Sequence, residues 1–117
     1  MDSYIVYGIK NCDTVKKALD WLKKNNIAYE FHDYKSKGVT AHKVKSWVNQ
    51  VGWEELVNKK GTTWRQLEDS YKQSIKDEMS AISLMEEKTS VIKRPIIEHE
   101  GKIITIGFDA VEYSESL

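Results

Sequence analysis

Cys12 is the only cysteine of this 117-residue chain, and it stands in Tyr7-Gly8-Ile9-Lys10-Asn11-Cys12-Asp13-Thr14, between an apolar strand-like run and the first turn of a helical pattern. A helix N-terminus carries partial positive charge and unpaired N–H groups. A thiol placed there ionises below the free-cysteine value of about 8.5 and becomes a nucleophile. Lys10 pushes in the same direction and Asp13 opposes it. The polar groups of Asn11 and Thr14, with the backbone N–H groups after Cys12, have the makings of an anion-binding nest. The competing reading is a free cysteine packed as a small hydrophobe. The loop-to-helix position and the polar neighbours favour the reactive thiol.

Arg94 stands directly before Pro95, the only proline. A guanidinium stays charged at any physiological pH and offers a fork of donors to a thiolate or an oxyanion. Proline has no N–H for a central ladder, which puts Pro95 at a strand entry. His32, His42 and His99 are too scattered for a metal site and read as surface residues, and one cysteine cannot build a structural zinc centre, so no metal is expected. Asp33 and Glu98 read as strand or edge residues rather than as a catalytic carboxylate pair. There is no glycine-rich phosphate loop.

The elements that must position Cys12 and Arg94 follow from periodicity. Ser3 to Tyr7 reads as a short buried strand that Gly8 ends. From Asp13 to Asn25, Val15, Ala18, Leu19 and Leu22 recur at helical spacing, and Ile27 to Tyr34 alternates as a second strand. Thr40 can cap a helix over Ala41 to Val51 that Gly52 ends. Further helical stretches run from Trp53 to Asn58, Trp64 to Tyr71 and Ser80 to Lys88. Ile96 to His99 and Ile103 to Ile106, joined by a three-residue turn at Glu100-Gly101-Lys102, make a hairpin, and a last helix covers Asp109 to Glu115. The order βαβ, helices, ββα implies one α/β domain with a mixed sheet over residues 1–117, interrupted by a helical insertion at about 40–88. With Cys on the first loop and Pro entering the third strand, the pattern reads as thioredoxin-like. In such folds these two loops face each other, which brings Arg94 towards Cys12.

Bulk composition narrows the function. Lys plus Arg and Asp plus Glu number 18 each, so no net charge draws the chain onto nucleic acid or an acidic membrane surface, and any anion site must be local. No apolar run approaches the roughly 20 residues of a membrane span, the N-terminus has no basic n-region, and a single cysteine precludes an internal disulfide. The expected compartment is the cytoplasm.

Four segments together carry a family resemblance: Tyr7 to Ala18 around the cysteine, Gly61-Thr62-Thr63-Trp64-Arg65-Gln66-Leu67, Lys93-Arg94-Pro95-Ile96, and Ile106-Gly107-Phe108. Nearly end to end, the chain resembles the arsenate reductase/Spx (ArsC-like) superfamily, and within it the branch of small bacterial proteins called YffB-like. The resemblance implies a thioredoxin fold with a helical insertion after the second strand, Cys12 as catalytic cysteine, and an Arg94–Pro95 pair with a cis peptide bond. It also implies an oxidoreductase that binds no cofactor and uses glutathione or glutaredoxin as thiol partner.

Glutaredoxin-linked arsenate reductases of this superfamily use two more arginines around the oxyanion. One falls near Asn58-Lys59-Lys60, where Lys59 or Lys60 supplies charge but no fork. The other falls near Ile106-Gly107-Phe108, where no side chain is basic. Arsenate reduction is therefore expected to be weak or absent. The Spx regulators of the same superfamily bind the RNA polymerase α subunit, and several sense oxidation through Cys-x-x-Cys. Here that stretch is Cys12-Asp13-Thr14-Val15, so an intramolecular switch is impossible and only a redox-independent adaptor role remains as the alternative.

Overall fold

The computed structural model describes residues 3–117. In chain order the elements are β1 (Tyr4–Gly8), α1 (Asp13–Lys24), β2 (Tyr29–Asp33), α2 (Tyr34–Lys37), α3 (Ala41–Val51), α4 (Trp53–Leu56), α5 (Thr62–Arg65), α6 (Asp69–Ser74), α7 (Glu78–Glu87), a 3-10 turn (Thr89–Val91), β3 (Ile96–His99), β4 (Lys102–Ile106) and α8 (Ala110–Ser116). They form two compact units. A sheet unit runs through Lys37 and resumes at Arg94 to Leu117, and a helical unit comprises Gly38–Lys93.

In the sheet unit the strand order is β2-β1-β3-β4. β1 and β2 are parallel, from Tyr4 opposite Tyr29 to Gly8 opposite Asp33, whereas β3 is antiparallel to both β1 and β4. A parallel pair needs a crossover, and α1 supplies it. Val15, Ala18 and Leu22 fall on one face of α1 and are fully buried. Ala18 and Leu22 pack with Val6, Ile97 and Tyr113 into the core on one side of the sheet. Each such large aliphatic side chain contributes about 1.5 to 3 kcal/mol through burial. Tyr113 of α8 is clamped edge-on by Trp21 and Phe108, with ring centroids 5.4 and 5.0 Å apart, and its hydroxyl donates to the Gly107 carbonyl at 2.6 Å.

α1 ends in a Schellman closure. Asn26, in the left-handed region at φ 56, donates its N–H to Lys23, and the N–H of Ile27 returns to Leu22 at 3.0 Å. Ile27 is thus spent on the cap, so β2 begins at Tyr29 rather than at Ile27. The hairpin turn has two residues, Glu100 and Gly101, both at positive φ (53 and 81), in place of the three expected. Positive φ at both central positions is the primed turn whose twist matches the strands it joins.

The helical unit is organised around α3, against which α4 and α7 pack, with Val44, Trp47, Leu56, Leu84 and Met85 buried. Thr40 caps α3 through its hydroxyl, which accepts from the Lys43 N–H at 3.1 Å. Asp77 and Ser80 form a capping box, so α7 starts at Glu78 rather than at Ser80. The helix expected over Trp64 to Tyr71 is instead two short ones, α5 and α6, separated by an extended Glu68. Trp64 is buried but α6 buries nothing, and a stretch without a covered apolar face has little to hold it as one helix. On the surface of this unit Lys45 pairs with Glu78, and Lys93 lies 3.8 Å from Glu55.

Gly8 is where the fold presses hardest on the candidate thiol loop. A Cβ there would lie 2.9 Å from Val15 Cγ2 and 3.4 Å from Val15 Cγ1, so the absence of a side chain lets α1 seat directly beneath the end of β1. Val15 is β-branched and stiff, and cannot step aside cheaply. Gly8→Ala is expected to destabilise the protein by about 1 to 3 kcal/mol, read as a lowered midpoint in urea unfolding.

Candidate functional site

β1 delivers the chain into the site. After Gly8, Ile9 is buried as an anchor, Lys10 and Asn11 are exposed, and half-buried Cys12 becomes the N-cap of α1 with extended backbone (φ −122, ψ 123). Its carbonyl accepts the first helical hydrogen bond, from Lys16 N–H at 2.9 Å. The thiol makes no regular capping bond, yet the N–H groups of Val15 and Thr14, two of the unpaired donors of the helix start, act on its sulfur and favour the thiolate.

Arg94 arrives from the other side of β1. Because β3 runs antiparallel to β1 with Ile96 opposite Tyr7, the entry to β3 comes level with the end of β1, at the root of the cysteine loop. The Arg94–Pro95 bond is cis, as the family resemblance implies, and the Pro95 carbonyl accepts from Gly107 N–H at 2.8 Å. Burial, the largest influence on the Cys12 thiol, pushes its pKa up. The Val15 N–H, the hydrogen bond and charge of the Arg94 guanidinium, and the Thr14 N–H together outweigh it, and the thiol is more acidic than an ordinary cysteine.

Of the residues singled out by sequence, the sheet unit brings together Cys12, Arg94, Pro95 and the backbone of Thr14, with Lys10 and Asn11 exposed in the same loop. Lys59 and Lys60 belong to the helical unit. There the Lys59 ammonium lies over two indoles, 5.6 Å from the Trp53 ring and 5.4 Å from the Trp64 ring, and the Lys60 N–H is held by Asn58 Oδ1 at 3.2 Å. Among the described residues no three His, Cys, Asp or Glu side chains gather as metal ligands, and no helix is long and apolar enough to cross a membrane.

One expectation is corrected. His32 and His99 are not plain surface residues: each is half-buried with its ring tilted against a tyrosine, His32 against Tyr7 and His99 against Tyr4, with centroids 4.8 Å apart in both pairs. Only His42 is exposed. Glu98 is a strand residue, as expected. It is 1 % exposed on β3, which lies between β1 and β4, and its Oε1 accepts a hydrogen bond from the Tyr7 hydroxyl at 3.3 Å. Tyr34, at the end of β2, is likewise 1 % exposed. The only signal for this buried polar group was a glutamate inside the apolar run Ile96-Ile97-Glu98.

A four-stranded mixed sheet with a cysteine at the start of α1 and a cis proline entering β3 defines a thioredoxin-like thiol protein. The chain belongs to the ArsC family, whose model matches residues 7–116. It is 49% identical over 108 residues to an uncharacterized protein of Haemophilus influenzae, covering 92% of this chain and 93% of that one. The solved structure of a YffB protein superposes with a TM-score of 0.91 at 42% identity, covering 98% of this chain and 99% of the other. A more distant relative is the global transcriptional regulator Spx of Streptococcus agalactiae, 28% identical over 107 residues, covering 87% of this chain and 74% of that one. These relationships put the chain in the YffB-like branch of the ArsC/Spx superfamily and support a thiol-redox type of function.

Arg94→Ala removes both the donor and the positive charge nearest the thiol, so its pKa should rise. The thiolate fraction below that pKa then falls, and alkylation of Cys12 by iodoacetamide at pH 6 should slow roughly threefold to tenfold while the rate at high pH is kept. The pH profile of alkylation checks this, and Arg94→Lys should recover part of the loss.

Proposed function

We propose that this protein is a thiol-dependent oxidoreductase acting on disulfides through Cys12, with glutathione as the resolving thiol. The Cys12 thiolate attacks one sulfur of an oxidised substrate. A new Cys12–sulfur bond forms, the substrate S–S bond breaks, and the leaving sulfur departs as a thiolate that takes a proton from solvent. A glutathione thiolate then attacks the substrate sulfur of the mixed disulfide, freeing Cys12 and leaving a substrate–glutathione disulfide. A second glutathione thiolate attacks the glutathione sulfur of that disulfide, giving oxidised glutathione and the second substrate thiol, so two glutathiones supply the two electrons and the protein ends as it began. With one cysteine in the chain the second thiol must come from outside, as glutathione or as glutaredoxin.

The observation that carries this reading is the acidified Cys12 thiol under the Arg94 guanidinium. Arg94 serves twice, holding the resting thiolate and offering a charge-assisted contact to an anionic group beside it, such as a glutathione carboxylate. Lys10 and Asn11 of the same loop, with Thr14 at the start of α1, are proposed to complete the anion contacts. The work belongs in the cytoplasm, where glutathione is abundant and free thiols persist.

Arsenate is a poor candidate substrate. Where arsenate reductases of the superfamily carry two further arginines, this chain has Asn58-Lys59-Lys60 and Ile106-Gly107-Phe108. Charge-assisted contacts are worth about 1.5 to 3 kcal/mol each, so two missing forks lower the rate by roughly two to four powers of ten. The Spx likeness favours a second reading, an adaptor that docks on the RNA polymerase α subunit without a redox switch.

Glutathione-coupled assays on hydroxyethyl disulfide and on arsenate separate the two readings. Turnover of the disulfide, its loss in Cys12→Ser, and arsenate reduction at least a hundredfold slower are expected. Arsenate turned over as fast as the disulfide would overturn the substrate assignment. No turnover of either, together with capture of the α subunit by the Cys12→Ser variant, would favour the adaptor.

A further inference from the structure

Beside the helix that carries the thiol, the sheet unit opens a cleft of about 240 Å³ that the chemistry above does not use, lined by Lys17, Asp20, Trp21, Lys24 and Phe108. Its apolar part is the half-buried Trp21 and Phe108 rings, both set edge-on against the fully buried Tyr113. Lys17, Asp20 and Lys24 are exposed around them, two ammonium groups against one carboxylate. Both walls are anchored to the thiol site. Phe108 follows Gly107, whose N–H donates to the Pro95 carbonyl and whose own carbonyl accepts from the Tyr113 hydroxyl. The other wall is α1, whose N-cap is Cys12. Thr14, Lys17, Trp21 and Lys24 stand three, four and three residues apart, one stripe of that helix leading from the thiol loop into the cleft.

We propose that this cleft is a docking subsite for polypeptide substrates: an acidic segment of a disulfide-bearing protein seats one large apolar side chain between Trp21 and Phe108 while its oxidised cysteine meets Cys12. This rests on the reading of Cys12 as the nucleophile and narrows the substrate of that site. Size selects the occupant. The cleft is smaller than the roughly 300 to 1,000 Å³ of sites that enclose a whole small ligand, so it takes one anchor side chain of a larger partner. Fixed aromatic rings are the usual floor for such an anchor. Charge selects the flanks, because the net positive rim attracts carboxylates and repels lysines. Reach sets the spacing. From Cys12 to Trp21 the helix rises about 13 Å at about 1.5 Å per residue, a distance that about four residues of extended peptide cover. The exchange steps are those already given. The cleft adds binding energy remote from the sulfur, which fixes the orientation of the disulfide.

The test mixes the full chain with short peptides whose cysteine is joined by a disulfide to 2-nitro-5-thiobenzoate. Cys12 bonds to the peptide sulfur, the peptide–thionitrobenzoate bond breaks, and the coloured thiolate leaves, so the first exchange step is read directly. The probe peptides carry a phenylalanine between two glutamates, about four residues before or after the cysteine. Alanine in place of the phenylalanine and lysines in place of the glutamates give the controls, and the mercaptoethanol–thionitrobenzoate disulfide reports the bare thiol. Each rate is divided by that of the same disulfide with free mercaptoethanol. The better acidic phenylalanine peptide should react about tenfold faster than its alanine counterpart and about threefold to tenfold faster than the basic one. Trp21→Ala should abolish the phenylalanine effect, and Lys17→Glu/Lys24→Glu should reverse the charge preference. Because Trp21 packs on Tyr113, the exposed lysine pair carries the test if Trp21→Ala does not fold. Phenylalanine and alanine peptides that react alike with the wild type, or a charge preference that survives the lysine substitutions, overturn the inference. A wild-type Cys12 that attacks the mercaptoethanol disulfide no faster than free mercaptoethanol does at pH 6 overturns the nucleophile reading itself, so the small disulfide tells the two failures apart.

Discussion

A half-buried thiol resists ionisation, and the site exists because positive potential reaches Cys12 from two directions to overcome that resistance. One source is the start of α1, the other is Arg94. Both depend on β1 lying between β2 and β3: its parallel partner requires the α1 crossover, and its antiparallel partner brings the entry of β3 back to the same end. If β3 ran parallel to β1, Arg94 would emerge at the far end of the sheet, four or five residues or roughly 15 Å away, beyond the reach of an arginine side chain.

The remaining features of the sheet unit hold this meeting in place. Gly8 lets α1 ride close under β1, the Ala18–Leu22 face ties α1 to Val6 and Ile97, and the Schellman closure at Asn26 turns the chain into β2 within four residues. On the far side, the Pro95 carbonyl is tied to Gly107, and Gly107 in turn to the Tyr113 hydroxyl of α8. The last helix thus bears on the proline loop through two hydrogen bonds, although it contributes no residue to the chemistry. Each tie is modest, about 1 kcal/mol net, and their value lies in removing freedom from the Arg94 backbone.

Much of this could be read from the residues. The single cysteine before a helical run, and the single proline after an arginine, are local signals whose meaning needs only the order of the elements. The spacing of Val15, Ala18 and Leu22 gave the face of α1 directly. What escaped was whatever depends on which side of a short strand is covered. Ile96-Ile97-Glu98-His99 is too brief for its alternation to say that Glu98 turns into a buried space, and a glutamate is usually expected in water. The turn at Glu100-Gly101 was misjudged by one residue because glutamate seldom adopts positive φ. The break at Glu68 was missed because Trp64, Leu67 and Tyr71 have helical spacing without a common burial. Periodicity reports a surface that could be covered, and only tertiary packing decides whether it is.

The tryptophans are divided unevenly between the two compact units: Trp47, Trp53 and Trp64 lie in the helical one and Trp21 alone in the sheet one. Intrinsic emission therefore reports chiefly on the helices, and the Lys59 ammonium over two of those indoles makes it responsive to local loosening there. The single thiol labels the opposite unit. The chain thus carries a native fluorescent reporter in one unit and a single site for a thiol-reactive label in the other, and whether their melting curves superimpose measures how far the insertion and the sheet share one cooperative transition.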